Sequence, residues 1–246
     1  MTLRAAAQSL PDDMSDWALF LDFDGTLVDI APTPDAVVLE SPIKAALGSV
    51  AARCGQALAL VSGRPIAELD TFLAPLELAA AGVHGQELRL ADGRREDSNL
   101  SADLSRLRSI MREIECNNAG ILVEDKGHAL ALHTRARPDL AEGCRQSLLA
   151  SVAENDGLCL LEGHCVLEVK AKGIHKGTAV RRLMTTPPFL GLRPLFVGDD
   201  CTDEDGIKAV QELGGLGVRI GPPPSAAAIR LERAEDFRDW LVRQAS

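Results

Sequence analysis

An α/β fold with a doubly wound, mainly parallel sheet and an inserted α+β unit follows from three observations on the sequence. Short apolar runs bounded by Gly, Ser or Asp recur at 18–23, 57–62, 78–83 and 194–198, the pattern of strands buried on both faces. Helix-like stretches lie between and after them, at 42–54, 65–74, 175–185, 203–213 and 235–244. Such alternation builds a parallel sheet with helices on both faces. From about residue 88 the rhythm changes to hairpin, helix, hairpin, helix, hairpin. The expected division is a core of residues 1–87 and 172–246 with an inserted domain of 88–171.

Each element has a local reason. Pro42 and Pro65 open their helices at the first turn, where a missing N–H costs nothing. In the insertion, Asp92-Gly93 makes a turn after Leu88-Arg89-Leu90, and a helix is expected over about 100–116. Strands at 120–125 and 128–134 flank the turn Lys126-Gly127, and a second helix covers about 137–154. Gly163-His164 then joins strands at 158–162 and 165–170. A separate antiparallel sheet within a parallel plan reads as a cap, expected to act as a lid.

Composition narrows the function. The 246 residues suffice for a sizeable core, and no apolar run approaches the roughly 20 residues of a spanning helix. A net charge of −10 argues against nucleic-acid or anionic-membrane partners. The six cysteines, Cys54, Cys116, Cys144, Cys159, Cys165 and Cys201, form no Cys-x-x-Cys pair. They read as reduced thiols of a cytoplasmic protein, and the chain is expected to be a monomer.

The chemistry is carried by four short motifs. Asp22-Phe23-Asp24-Gly25-Thr26 sets two carboxylates two residues apart at a strand end. Side chains at i and i+2 of a strand share a face, so a hard cation such as Mg2+ would relieve their repulsion. Asp-Gly is also a common turn pair. Ser62-Gly63-Arg64 offers a hydroxyl and amides before a helix start, the setting for an anion or for an ordinary helix cap. Lys176-Gly177 supplies an ammonium at another helix start. Gly198-Asp199-Asp200-Cys201-Thr202-Asp203-Glu204 places four acids in six residues after an apolar strand. Capping accounts for the later acids, and half of a metal site accounts better for Asp199 and Asp200.

In this order, the four motifs resemble those of the haloacid dehalogenase superfamily of phosphohydrolases, whose core is Rossmann-like. An insertion between the second and third motifs looks like that superfamily's C2-type cap. Further features resemble the trehalose-6-phosphate phosphatase family: Gly82-Val83-His84-Gly85 with Glu87, Glu124-x-Lys126, Leu130-Ala131-Leu132-His133-x-Arg135, Glu168 ahead of Lys176-Gly177, and the form of the last motif. The likeness covers about residues 16–245 and departs from the pattern after Glu168, where no proline follows.

The resemblance implies a phosphoric monoester hydrolase that cleaves trehalose 6-phosphate, with Mg2+ as cofactor. Asp22 would be the nucleophile, and Asp24 the acid that protonates the leaving oxygen and then the base that activates water. Ser62 and Lys176 would hold the transferring phosphoryl group. Asp22, the Asp24 carbonyl and Asp199 would bind metal, with Asp203 orienting bound water and Asp200 as a further candidate. Thr26, Gly63, Arg64, His84, Glu124, Lys126, Arg135 and Glu168 are placed among the substrate contacts. For His84 a hinge or core role stands beside that one, and Glu124 with Lys126 would also fit a solvated pair. Other sugar or polyol phosphatases, of the sucrose phosphate or mannosylglycerate phosphate type, remain open. So do a phosphomutase and an inactive regulatory domain.

Overall fold

The computed structural model describes residues 10–31, 33, 36–97, 103–163 and 165–245. His164 and residues 100–102 of the expected third helix lie outside the described residues. The chain divides into two compact units, one of residues 1–97 and 175–246 and one of residues 98–174.

The first unit is built on an eight-stranded sheet. Its strands are β1 (Trp17–Leu21), β2 (Leu58–Val61), β3 (Ala79–Gly82), β4 (Glu87–Arg89), β5 (Arg95–Asp97), β10 (Arg193–Gly198), β11 (Leu216–Ile220) and β12 (Ile229–Leu231). They lie in the order β12-β11-β10-β1-β2-β3-β4-β5. Every pair from β12 to β3 is parallel, and β4 and β5 add an antiparallel edge. The hairpin expected in the insertion therefore belongs to the core, because Ala80, Ala81 and Gly82 pair with Arg89, Leu88 and Glu87. The boundary moves from 87 to 97 at that end and from 172 to 175 at the other.

Five helices accompany this sheet: α1 (Ser41–Arg53), α2 (Ile66–Leu73), α5 (Lys176–Leu183), α6 (Glu204–Glu212) and α7 (Ala234–Gln244). Strands β1, β2, β3 and the middle of β10 are buried throughout, as continuous apolar runs require. Leu19, Phe20 and Leu21 form one core with Leu47, Val50, Leu195, Val197 and Phe237. From β1 the chain moves outward through β2 and β3, then returns on the other side as β10 and moves outward again. The strand order thus reverses between β1 and β10, and the crevice at such a switch point is where open α/β sheets bind ligands.

The second unit is a four-stranded antiparallel sheet, β6 (Leu122–Asp125), β7 (Ala129–His133), β9 (Val166–Ala171) and β8 (Leu158–Gly163) in spatial order. Helices α3 (Ser105–Asn117) and α4 (Ala141–Ala153) pack on one face through Leu107, Met111, Cys144 and Leu148 against Leu130, Leu132, Leu167 and Val169. The alternate residues form the other face. Register sets Glu124 opposite Ala131 and Ala131 opposite Glu168. Among the described residues no helix is long and apolar enough to cross a membrane, and all six cysteines are free.

Candidate active site

The loops after β1 and β10 bring the acids together at the switch point. Strand β1 ends at Leu21, and the Asp22 N–H donates to the Val197 carbonyl at 2.9 Å, which ties the nucleophile candidate to β10. Lys176, at the first turn of α5, sends Nζ to Asp22 Oδ1 and to Asp203 Oδ1, each at 2.7 Å. All three side chains are buried. Asp203 also accepts the backbone N–H groups of Asp199 and Asp200 on its other oxygen, at 3.0 and 2.9 Å. One carboxyl oxygen each from Asp22, Asp199 and Asp203 lies within 4.8 Å of the others.

Electrostatics follows from this crowding. Burial pushes the Asp22 carboxyl well above the usual aspartate range, with the Asp203 charge adding to it and the Lys176 ammonium opposing it. Burial raises Asp203 too, again against Lys176. Asp199 is pushed up to about 7 by burial and by its neighbours Asp203 and Asp200. Burial by itself would lower Lys176, but facing Asp203 and Asp22 it is held protonated, well above the ordinary lysine value. One ammonium is a poor match for three carboxyl groups, so the site favours an added cation.

The Asp24 carboxylate takes a different direction from Asp22. Since β1 stops before either aspartate, the two-residue repeat that would align them does not reach them. Arg64 grips both Asp24 oxygens, Nε to Oδ2 at 2.7 Å and Nη2 to Oδ1 at 2.8 Å. Its Nη1 donates to Glu68 of α2. Arg64, expected to touch substrate, has its charge committed to Asp24 and Glu68. Asp200, a candidate ligand in the sequence, instead caps the following 3-10 turn and accepts Thr202 N and Thr202 Oγ1 at 2.6 and 2.7 Å. It stands outside the three-acid cluster.

The other core residues cluster nearby in the chain's path. The Ser62 Oγ accepts the Arg64 N–H at 3.1 Å, which leaves its own proton to donate. His84 is buried, its N–H donates to the Ser62 carbonyl, and a Cβ on Gly63 would stand 2.7 Å from its Nε2. Gly63 is thus needed for that ring to approach. Val83 and His84 reach this arrangement at φ values of 46° and 55°, in the left-handed region that a β-branched residue rarely enters. Thr26 is fully buried, and no hydrogen bond is made by its hydroxyl among the described residues.

In the second unit, Lys126 Nζ meets Glu168 Oε2 at 2.8 Å, and both side chains are nearly buried. His133 Nε2 lies 3.0 Å from Glu124 Oε2. Burial raises the Glu124 carboxyl, but His133 and Lys126 outweigh it and bring it below the usual range. Each of the two has a partner of its own, Glu168 for Lys126 and His133 for Glu124, beyond the charge Lys126 sets near Glu124. Arg135 lies past the end of β7 and is exposed.

Two contacts lie beyond what the sequence pattern points to. Glu87 of β4 accepts the Ile66 N–H at 2.7 Å, and so caps α2 from a neighbouring element. The Arg64–Asp24 clamp is the other. No local signal announces either, since the partners are 21 and 40 residues apart.

A family model described as trehalose-phosphatase matches residues 20–230, most of the chain. The chain belongs to the trehalose-phosphatase family. Two bacterial members bear this out over nearly their whole length. The chain is 40% identical over 233 residues to a probable trehalose-phosphate phosphatase of Sinorhizobium fredii, covering 90% of this chain and 88% of that protein. It is 37% identical over 233 residues to the trehalose-6-phosphate phosphatase of Escherichia coli, covering 94% and 87%. The fold is shared with the C-terminal domain of the C. albicans trehalose-6-phosphate phosphatase, at a TM-score of 0.85 and 24% identity over 100% of this chain and 97% of that one. A haloacid dehalogenase-like hydrolase from B. subtilis has the same fold at a TM-score of 0.64 and 15% identity, over 91% and 98%.

Proposed function

We infer that this family member hydrolyses trehalose 6-phosphate to trehalose and phosphate, by phosphoryl transfer to Asp22. The observation that carries the mechanism is the Lys176 ammonium 2.7 Å from both Asp22 and Asp203, at the end of β1. An ionised carboxylate attacks phosphorus without a base, and Lys176 together with an added cation would offset the burial that raises Asp22; the acyl phosphate it forms is cleaved by water more readily than a sugar ester. The Asp22 oxygen bonds to phosphorus as the bond from phosphorus to the sugar oxygen breaks. Asp24 gives its proton to that oxygen, since an alkoxide is a poor leaving group. Asp24 then takes a proton from water as the hydroxide displaces Asp22 from phosphorus. Ser62 and the Gly63 amide donate to the phosphoryl oxygens, and Lys176 neutralises their charge.

The residues present suit Mg2+. Asp199 Oδ1 is buried without a hydrogen-bond partner among the described residues, and Gly25, at φ +79°, lets Asp199 approach within 2.1 Å of where a Cβ would stand. Three carboxyl groups, one of them the nucleophile, match a hard cation that also takes waters and phosphate oxygens. Asp22, Asp199 and Asp203 would hold the ion, which when bound would balance the charge of the phosphoryl group. Glu124, Lys126 and Glu168 supply charged groups for sugar hydroxyls, whose loss from a substrate would be strongly penalised.

The test is phosphate release from a panel of sugar phosphates with and without Mg2+, with Asp22→Asn as control. Preference for trehalose 6-phosphate, dependence on the metal and silence of the variant are expected. Equal release by Asp22→Asn would overturn the mechanism, and preference for another ester would overturn the substrate.

A further inference from the structure

Asp24 must do two different jobs in one cycle, and the structure holds it in a way suited to only one of them. A bidentate guanidinium fork engages both carboxylate oxygens with N–H donors, an arrangement that suits the carboxylate form. The fork itself is fixed. Glu68 takes a third donor of Arg64, and the guanidinium carbon lies 5.7 Å from the Phe23 ring centroid and 5.3 Å from that of Phe72. These rings are 5.2 Å apart and flank the cation with aromatic faces. Glu68 and Phe72 both lie on α2, whose first turn is capped by Glu87. The Arg64 side chain is only 9% exposed, whereas that of Asp24 is 37% exposed. The anchored partner is the arginine, and the more exposed one is the acid.

We propose that Arg64 is a positioning residue for proton transfer, the post to which Asp24 returns each time it has given up its proton to the departing sugar oxygen. This rests on the hydrolytic reading above. In the first half-reaction the proton passes from the Asp24 carboxyl to the sugar oxygen as its bond to phosphorus breaks. The fork holds the carboxylate as its charge develops in that transfer, which eases the departure, and afterwards keeps it oriented as the base for water. In the second half-reaction it accepts a proton from water, and the fork opens again. Arg64 touches neither phosphorus nor sugar in this account, so it differs from a phosphate-binding arginine. A lysine in its place would supply charge but not the two parallel donors.

The leaving group separates these roles. With p-nitrophenyl phosphate the departing phenolate needs no proton, and kcat/KM reports only the steps up to its departure. Arg64→Gln is expected to lower kcat/KM on trehalose 6-phosphate by about 10²-fold or more, through kcat, while lowering it on p-nitrophenyl phosphate by no more than about threefold. Arg64→Lys is expected to fall between Arg64→Gln and the parent on trehalose 6-phosphate, and it is the variant to use should Arg64→Gln fail to fold. An equal loss on both esters, or a loss confined to KM, would overturn the proposal by making Arg64 a structural or substrate-binding residue. The parent enzyme is assayed first. If it prefers a different sugar phosphate, the substrate assignment fails alone, and the contrast is measured on that ester.

Discussion

Asp22 and Asp24 are two residues apart, yet one faces Lys176 and the other faces Arg64. This divergence gives each a distinct mutant phenotype. Asp22→Asn removes the proposed nucleophile and should cut phosphate release from trehalose 6-phosphate by about 10⁴-fold or more, whatever the leaving group. Asp24→Asn should lower kcat/KM by about 10²–10⁴-fold on the sugar ester and far less on p-nitrophenyl phosphate. A uniform loss would remove the distinction. Lys176→Met tests the buried centre from the other side. It leaves two carboxyl groups in a dry site without their ammonium, so urea denaturation without metal should show a loss of about 3–5 kcal/mol.

At the scale of elements, the loop from Val83 to Gly85 and the helix α2 determine how the Ser62-Gly63-Arg64 turn is held. Two consecutive non-glycine residues at positive φ cost on the order of 1–3 kcal/mol each. Surrounding contacts must offset that, and the strand β4 that follows provides one through Glu87. Glu87→Ala leaves the Ile66 N–H uncapped and should destabilise the protein by about 1 kcal/mol in urea denaturation. Because α2 carries Glu68, it should also lower kcat on trehalose 6-phosphate. In the second unit, Lys126, in the turn after β6, and Glu168, on β9, form a nearly buried pair. Lys126→Met should raise KM for trehalose 6-phosphate and leave p-nitrophenyl phosphate turnover near the parent value, as measured in parallel assays.

For the molecule as a whole, the switch point between β1 and β10 gathers the carboxyl groups of Asp22, Asp199 and Asp203. The consequence is a pH dependence opposite to that of ordinary paired carboxylates. Folded Asp199 keeps its proton up to about 7, while the unfolded chain releases it near 3.8, the ordinary aspartate value. Between those values the unfolded state binds fewer protons, so stability falls as pH rises. Raised Asp22 and Asp203 act in the same direction. Thermal unfolding without metal should therefore shift downward from about pH 4 to 7, and added Mg2+ should restore most of the loss at the upper end. A flat metal-free profile would mean that the three acids are already balanced.

Much of this was legible along the chain. Apolar runs and helix-start prolines located β1, β2, β3, β10 and the helices α1 and α2 within a residue or two, because burial on both faces and first-turn geometry leave marks on adjacent residues. The acidic motifs announced a gathering of acids for the same reason. Strands β11 and β12 left weaker marks: Leu216–Ile220 carries Gly217 and Arg219, and Ile229–Leu231 is three residues long. The hairpin from Glu87 to Asp97 was readable as a hairpin, but not its sheet, since its own turn chemistry is the same whichever strand it joins.

By itself the sequence determined the element types, the strand ends that bear acids and the family those motifs mark. Such properties depend on residues close together in the chain. Only the tertiary structure decided that Lys176 would meet Asp22 across 154 residues, that Asp200 would turn away into a cap, and that Arg64 would grip Asp24. Those outcomes depend on which strands become neighbours, and the packing of the whole core settles that.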